Sequence, residues 1–400
     1  WLMRGHIAEG RQWLDLLLAA TQGTVSKARG AATQGAGYLA WIQGDPDRAE
    51  QLHLEGVSIR RAIDDKAGMG GSLSNLGIIA WNRGDFESAR SYYEQALAAR
   101  REANYTLGVA SVLTNLALLM QDQGQYSEAI SYAEEAWTLF KELNDLQGML
   151  HVFYNMGAMH FDRGDLDQAV AVHSQALSLA RDLGDKRVTG GLLMNLGVAL
   201  IDQGETDQAR TVLNESLALM QQLGDLQHIA LIKRGLALLA LREGHPRVAQ
   251  VFIEESLSYL RKSQGDVYLG RALITKGETL LALGEREPAL NTIHEAMSIL
   301  MKIKQPQPIA DALYWLAFAL LSGGNPQHID RLLNAADSIA GQFDLRFPHH
   351  APILAQIRPL SGQSAGQALA AAPSLVDDPT PRKLTGILRS IEIVLGSGLQ

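Results

Sequence analysis

A column of asparagines recurs through the chain at a spacing of forty residues. Its members are Asn75, Asn115, Asn155 and Asn195. Seven residues after each of them, a second polar column reads Asn82, Asp122, Asp162 and Asp202. Seven residues make about two turns of an α-helix, so both columns share one face if these segments are helical. An amide side chain donates and accepts hydrogen bonds, which matches the main chain of an extended peptide.

The dimensions of packed helices fit such a ligand. Packed helices lie about 10 Å apart, and an extended chain rises about 3.3 Å per residue. One asparagine per helix would therefore meet a bound main chain at about every third residue. Two interpretations of the asparagines stay open: they bind a peptide, or they tie neighbouring helices together. For the aspartates we favour a solvated helix face. As binding groups, they would select a ligand with positive charge.

Residue patterns typical of catalysis or metal binding do not stand out. The chain has no cysteine, which excludes disulfides and thiol chemistry. Its histidines, such as His151, His160, His173 and the pair His349 and His350, share no metal-ligand spacing. No nucleophile motif and no phosphate-binding loop is found. We therefore predict no catalytic residues, no cofactor and no metal.

The stretch 70–109 shows which elements position the two columns. Apolar residues at helical spacing are Leu73, Leu76, Ile79 and Ala80. Gly84 then stands where a helix ends in a left-handed residue, and Asp85 can cap the next helix through its carboxylate. The second helix is predicted to run from about Phe86 to Glu102. Two helices joined so tightly must pack antiparallel, and Gly77, Ala89 and Ala96 let them approach closely.

The same unit recurs along most of the chain. Turn glycines occur every forty residues, at Gly44, Gly84, Gly124, Gly164, Gly204, Gly244, Gly284 and Gly324. A period of this length is typical of a solenoid, in which one hairpin cannot bury its apolar face and stacked neighbours can.

This pattern resembles the tetratricopeptide repeat. The residues that carry the resemblance are Leu76, Gly77, Gly84, Phe86, Ala89, Tyr93, Ala96 and Leu97. The resemblance covers about residues 26–345 in eight repeats, although the basic unit of the family has 34 residues. It implies an all-α, right-handed superhelical solenoid of about eight forty-residue helical hairpins.

In this family one side of the first helices lines a concave groove that holds peptides. We call this side the groove face; it comprises positions i, i+4, i+7 and i+11 from residue 71 of each repeat. Both polar columns lie on it. The asparagine column ends after Asn195, since later repeats carry Gly235, Thr275 and Trp315 at that position.

Charge and hydropathy exclude two other classes of partner. The formal net charge is −8, and the isoelectric point is near 5.8. A nucleic-acid-binding protein needs a basic face, so we predict no direct nucleic-acid contact. No apolar run reaches the roughly 18 residues that a membrane span requires, so we predict no membrane contact.

The ends of the chain differ from the repeats. We expect residues 1–25 to form a truncated leading helix pair and a linker. We expect residues 346–381, rich in Pro, Gly and Ala, to be a linker. Residues 382–400 are predicted to form an amphipathic helix, which docks on the array or meets a partner. The first residue is Trp1, and we interpret the chain as part of something longer.

The leading segment is similar to the start of the helical-repeat region in bacterial STAND-class signalling ATPases and transcription regulators. The similarity rests on Trp1, Gly5, His6, Glu9, Gly10, Arg11, Trp13 and Leu14. It implies a cytoplasmic sensor arm with an ATPase module upstream, whose groove binds a peptide or protein segment. A free-standing adaptor is the first alternative. A nucleotide-binding loop encoded upstream would support the sensor arm, and a start codon close by would support the adaptor. An enzyme is the second alternative, for which the sequence shows no convergent catalytic groups.

Overall fold

The structure is a computed structural model that describes residues 7–262, 266–321, 326–351 and 354–355. Within these ranges the chain forms seventeen α-helices and one short 3-10 helix. The helices are α1 (Ile7–Ala20), α2 (Lys27–Ile42), α3 (Pro46–Ala62), α4 (Lys66–Asn82), α5 (Phe86–Glu102), α6 (Thr106–Asp122), α7 (Tyr126–Glu142), α8 (Leu146–Arg163), α9 (Leu166–Asp182), α10 (Lys186–Gln203), α11 (Thr206–Leu223), α12 (Leu226–Arg242), α13 (Pro246–Leu260), α14 (Asp266–Ala282), α15 (Arg286–Ile303), α16 (Pro306–Leu321) and α17 (Pro326–Gln342). The all-α prediction is confirmed.

After α1 the helices follow one another as hairpins. Six even-numbered helices pack against the odd-numbered helix that follows: α2 against α3, α4 against α5, α10 against α11, α12 against α13, α14 against α15 and α16 against α17. Successive hairpins also touch, as α3 does with α4 and α13 with α14. The solenoid of forty-residue units is therefore present as predicted.

The turn within each hairpin depends on glycine. Seven of the eight predicted turn glycines lie in the left-handed region, with φ between 73° and 88°. They are Gly44, Gly84, Gly124, Gly164, Gly204, Gly244 and Gly284. Gly324 lies outside the described residues. The joints between hairpins use the same conformation twenty residues later, including at Asn104, Asn144 and Lys304.

Aspartates cap many of the helices, as the sequence predicts. The carboxylate of Asp85 accepts the main-chain N–H of Ser88 at 3.1 Å, and Asp45 accepts that of Arg48 at 3.2 Å. These caps satisfy amide groups that the first helical turn leaves without a partner. Asp165 occupies the same position but makes no such side-chain bond.

The predicted small residues do form the seam within the hairpin. A Cβ built on Gly77 would lie 2.6 Å from the ring of Tyr93, and one on Gly157 would lie 2.4 Å from His173. Ala89 and Ala96 are fully buried. The helices therefore approach so closely that these positions admit no larger side chain without repacking.

The described chain divides into two compact units. The first comprises residues 7–121 and 127–152, and the second comprises residues 122–126 and those from 153 onward. In the first unit, α1 packs on α2 through Leu18, Ala32 and Ala36. In the second unit, one buried apolar cluster includes residues from Tyr126 to Leu345.

Several predicted segments lie partly or wholly outside the described residues. The described part of 1–25 is the single helix α1 with the turn that follows it, and the predicted leading turn at Gly5 and His6 lies outside. Of the predicted linker 346–381, residues 348–350 form the 3-10 helix. The predicted helix 382–400 lies outside the described residues. Among the described helices, none combines the length and the apolar character needed to cross a bilayer.

Candidate functional site

Three of the predicted groove residues lie in the first unit. Asn75 on α4 and Asn115 on α6 are each partly exposed. Asn82 ends α4 and is exposed, and its Nδ2 donates to the carbonyl of Ile78 at 2.9 Å. Asn75 and Asn115 therefore present amide groups that a ligand can reach.

The other two asparagines lie in the second unit, partly exposed, on α8 (Asn155) and α10 (Asn195). The amide of Asn195 interacts with the hydroxyl of Tyr154 on α8. The Tyr154 ring also faces Gly191, where a Cβ would lie 3.2 Å from it. At Asn195 the structure thus shows the tie between neighbouring helices that the sequence left as one of two interpretations.

The aspartate column differs from the solvated face that we favoured. Asp162 on α8 forms an ion pair with Arg271 on α14, at 2.9 Å. Asp202 on α10 lies with its Oδ2 3.7 Å from Nδ1 of His349. The side chains of these two aspartates are only 14% and 11% exposed. The expectation of a solvated face is therefore wrong at both positions, while Asp122 at the end of α6 is partly buried.

These aspartates belong to a charged cluster inside the second unit, which we call the interior cluster. Its members are Asp162, Asp202, Arg234, Arg242, Arg271, Glu278, Asp311, His349 and His350. Arg242 on α12 donates to Glu278 on α14 at 2.5 Å. The cluster thus brings together charged side chains from the first helices of five successive hairpins, which are α8, α10, α12, α14 and α16.

Burial and mutual attraction set the charge states in the interior cluster. Burial lowers the pKa of Arg234 to about 10, with nearby Arg271 acting in the same direction and Asp311 and Asp202 opposing it. Burial by itself would raise the pKa of Asp311, but hydrogen bonds from His349 and His350 outweigh it and hold that pKa well below its usual range. Asp311 is therefore ionised at neutral pH.

The residues that follow α17 run into this cluster. The main-chain N–H of Arg346 donates to the carbonyl of Arg163 at 2.9 Å, and its guanidinium binds Asp165 at 2.6 Å. Asp165 also pairs with Arg163, which explains why its carboxylate does not cap α9. We call residues 345–350 the docked segment.

The far end of the docked segment is held by charge and by aromatic rings. Nε2 of His350 lies 2.6 Å from Oδ1 of Asp311 on α16. The His350 ring is fully buried, with its centroid 5.0 Å from that of Tyr314 and 5.4 Å from that of Trp315. Burial, followed by the nearby His349, lowers the pKa of His350 to about 4.

The sequence analysis identified the groove face, but it did not identify the charged residues on that face in the repeats that follow Asp202. Arg271 and Asp311 occupy position i of that face, Glu278 position i+7 and Arg242 position i+11. Following these columns into the later repeats would have found them. Nothing in the sequence spacing places His349 and His350 beside Asp311.

Comparisons with known proteins agree with this architecture. Residues 68–142, 148–222 and 188–262 match the model of the tetratricopeptide repeat family. Residues 247–322 match the model described as anaphase-promoting complex subunit 5. A search of curated proteins finds no match.

Solved structures with the same fold include three signalling proteins. A Rap protein in complex with competence and sporulation factor has a TM-score of 0.58 at 15% identity, over 84% of this chain and 98% of that one. The apo quorum sensor NprR from B. thuringiensis has a TM-score of 0.58 at 16% identity, over 75% and 84%. A STAND protein with a tetratricopeptide repeat sensor from Pyrococcus horikoshii has a TM-score of 0.50 at 14% identity, over 89% and 55%.

At these identities the solved structures establish the fold alone. The family match, the forty-residue hairpins and the glycine seams agree with one another. Residues 68–142 and 148–262 therefore carry tetratricopeptide repeats.

Proposed function

We propose that the groove face binds an extended peptide or protein segment that carries positively charged side chains. The observation that carries this proposal is the docked segment itself. It is a piece of chain without helical structure at 345–347 and with a 3-10 helix at 348–350. It is held by a main-chain hydrogen bond at Arg346 and by carboxylates at Asp165, Asp202 and Asp311. A peptide of similar charge would find the same kinds of partner.

The first unit offers neutral amides for the same task. Asn75 and Asn115 are partly exposed on successive first helices. Their donors and acceptors suit a peptide main chain and select no particular side chain. Two of the structures with the same fold support this use, since one was solved in complex with competence and sporulation factor and the other is a quorum sensor.

We further propose that the chain is the sensor arm of a larger bacterial signalling ATPase or transcription regulator in the cytoplasm. The fold shared with the sensor-bearing STAND protein supports this setting. Ligand binding would then shift the equilibrium between closed and open states of the ATPase, by as much as the ligand's affinities for the two states differ. A nucleotide-binding loop encoded upstream would support the arm, and a start codon close by would support a free-standing adaptor.

The binding proposal is tested with a library of fluorescent hexapeptides and the full chain. We expect enrichment of peptides with Arg, Lys or His, and weaker binding after Asn115→Ala with Asn155→Ala. Each lost hydrogen bond contributes about 0.5–1.5 kcal/mol, so the pair should lower affinity by about 5- to 150-fold. The matched control is Asn214→Ala with Asn291→Ala, two exposed asparagines on second helices.

The outcome can contradict the proposal in two ways. Equal loss of binding in both double variants would show that the groove face is not the binding surface. A large fall in melting temperature without a change in affinity would assign Asn115 and Asn155 a structural role.

A hydrolase or transferase screen with turnover that survives purification would favour the enzyme alternative.

A further inference from the structure

We propose that Asp311, His349 and His350 form a binding site for a divalent transition-metal ion, with Zn²⁺ as the expected metal. One ligand atom from each of the three side chains lies within 4.8 Å of the others. Two imidazoles and one carboxylate are a common protein donor set for zinc. The site shares Asp202 and Asp311 with the groove face, but its test measures metal binding and does not depend on whether a peptide binds.

The distances suit a metal centre after a small adjustment. Zinc binds nitrogen and oxygen donors at about 2.0–2.2 Å, so two donors of a tetrahedral site lie about 3.4 Å apart. Oδ1 of Asp311 is 3.5 Å from Nε2 of His349 and 2.6 Å from Nε2 of His350. The first pair already has the spacing of metal ligands. The second is a hydrogen bond that must open by less than about 1 Å when a metal replaces its proton.

The second nitrogen of His349 has a carboxylate near it. Nδ1 of His349 lies 3.7 Å from Oδ2 of Asp202. A metal-bound histidine usually directs its other ring N–H at a carboxylate or carbonyl, which fixes the ring and raises its basicity. The two atoms are too far apart for a hydrogen bond, so Asp202 becomes a positioning residue for His349 only if metal binding brings them within about 3.2 Å.

The surroundings of His350 favour a bound ion. Its side chain is 0% exposed to water. Its Nδ1 has no hydrogen-bond partner. Burying an imidazole in this way costs free energy, which a bond from the metal to Nε2 offsets. The aromatic rings of Tyr314, Trp315 and Phe347 pack around it and limit the access of water.

The charges of the interior cluster also accommodate a cation. Arg271 is paired with Asp162, and Arg242 with Glu278. Asp202 and Asp311 then share one further guanidinium, that of Arg234, which both attract. When His349 and His350 are neutral, as metal-binding imidazoles must be, two carboxylates against one guanidinium leave negative charge for a divalent ion to neutralise.

The donor atoms decide which ion fits. Mg²⁺ and Ca²⁺ prefer oxygen donors, whereas imidazole suits Zn²⁺ and its neighbours in the first transition row. Three protein ligands leave a fourth position for water or a ligand atom. A bound metal would join the docked segment to α16, and through Asp202 to α10.

The test is calorimetric titration of the metal-stripped full chain with ZnCl₂, supported by the visible spectrum with Co²⁺. We expect one ion per chain, proton release on binding, a melting temperature that rises with Zn²⁺, and no binding of Mg²⁺. Asp311→Asn keeps the shape of the side chain and should weaken Zn²⁺ binding at least tenfold. Asp202→Asn should weaken it by about 10- to 100-fold, the usual effect of losing such a positioning carboxylate.

A second ligand variant and a matched control keep the result interpretable. His349→Gln removes a ligand that is partly exposed, so it serves if Asp311→Asn unfolds the chain. His294→Gln changes an exposed histidine on α15 and should leave affinity unchanged. Absence of Zn²⁺ binding up to millimolar concentration would overturn the proposal. So would equal affinity in the wild type and in folded Asp311→Asn or His349→Gln.

Discussion

Gly77 shows how one residue sets the distance between two helices. Its missing side chain leaves the space that the Tyr93 ring fills, and both positions recur at forty-residue intervals. Wherever the first helix of a described hairpin has glycine there, the second helix has a large side chain. These pairs are Gly37 with His53, Gly77 with Tyr93, Gly157 with His173, Gly197 with Leu213 and Gly277 with Ile293.

The first prediction concerns this seam. Gly77→Leu places a side chain where even a Cβ lies 2.6 Å from the Tyr93 ring, so we expect a loss of about 1–3 kcal/mol from overpacking. Gly341→Leu is the matched control, because a Cβ on Gly341 meets nothing within 4 Å. Urea unfolding followed by circular dichroism measures both. Equal unfolding midpoints in the two variants would contradict the packing assignment.

The second prediction concerns a buried base. Burial, with a contribution from His160, lowers the pKa of His173 to about 4 in the folded chain, against about 6.5 when unfolded. The unfolded state therefore binds a proton between these values and the folded state does not. The contribution of His173 to the free energy of unfolding is therefore present above about pH 6.5 and is lost as the pH decreases toward 4. At pH 5 this histidine should cost about 2 kcal/mol relative to pH 7.

His173→Leu tests this pH dependence, since Leu213 fills the same column in the next repeat. We expect the variant to lose about 2 kcal/mol less than the wild type between pH 7 and pH 5, as measured by urea unfolding at each pH. An unchanged difference between the two pH values would show that His173 is not the group that titrates.

At the scale of elements, the docked segment lies across a turn that only glycine allows. Gly164 has a φ of +88°, and a Cβ built on it would lie 2.2 Å from the carbonyl oxygen of Arg346. The turn and the segment therefore approach each other main chain to main chain. The conformation of Gly164 follows from the repeat pattern, but the close contact does not.

The third prediction separates these two roles of Gly164. Gly164→Ala and Gly204→Ala incur the same strain at φ near +88°, about 1–2 kcal/mol, but only the first clashes with the docked segment. We expect Gly164→Ala to abolish hydrogen-exchange protection of the Arg346 amide and Gly204→Ala to retain it. Retained protection in both variants would mean that the segment does not depend on this contact.

At the scale of the whole molecule, the second unit departs from a simple array in which each repeat touches only its neighbours. Arg271 on α14 binds Asp162 on α8, 109 positions earlier and three hairpins away. Such a link couples distant repeats, so we expect the second unit to unfold more cooperatively than a chain of nearest neighbours.

The fourth prediction tests this coupling. Arg271→Met leaves Asp162 without its guanidinium in a partly buried site, which should cost roughly 2–4 kcal/mol and broaden the unfolding transition. Arg261→Met breaks the exposed pair with Glu295, at 3.1 Å, and should cost less than about 1 kcal/mol. Differential scanning calorimetry compares the two, and similar effects would argue against a long-range link.

The repeat architecture could be read from the sequence because it is built from local interactions. The left-handed turn glycines, the aspartate caps and the glycine seam involve residues that lie within one hairpin. The periodic recurrence of such signals predicts the helices, their pairing and the groove face. The asparagine and aspartate columns were found in the same way, and their use in binding a peptide stays a prediction.

The charged interior of the second unit was decided only by the tertiary structure. Asp202 is polar in the sequence whether it faces water or His349, and no local pattern distinguishes the two. The meeting of Asp311 with His349 and His350 depends on how the hairpins of the second unit stack and on the path of the chain after α17. Small rotations between successive repeats add up along a solenoid, so contacts between distant repeats cannot be read from one unit.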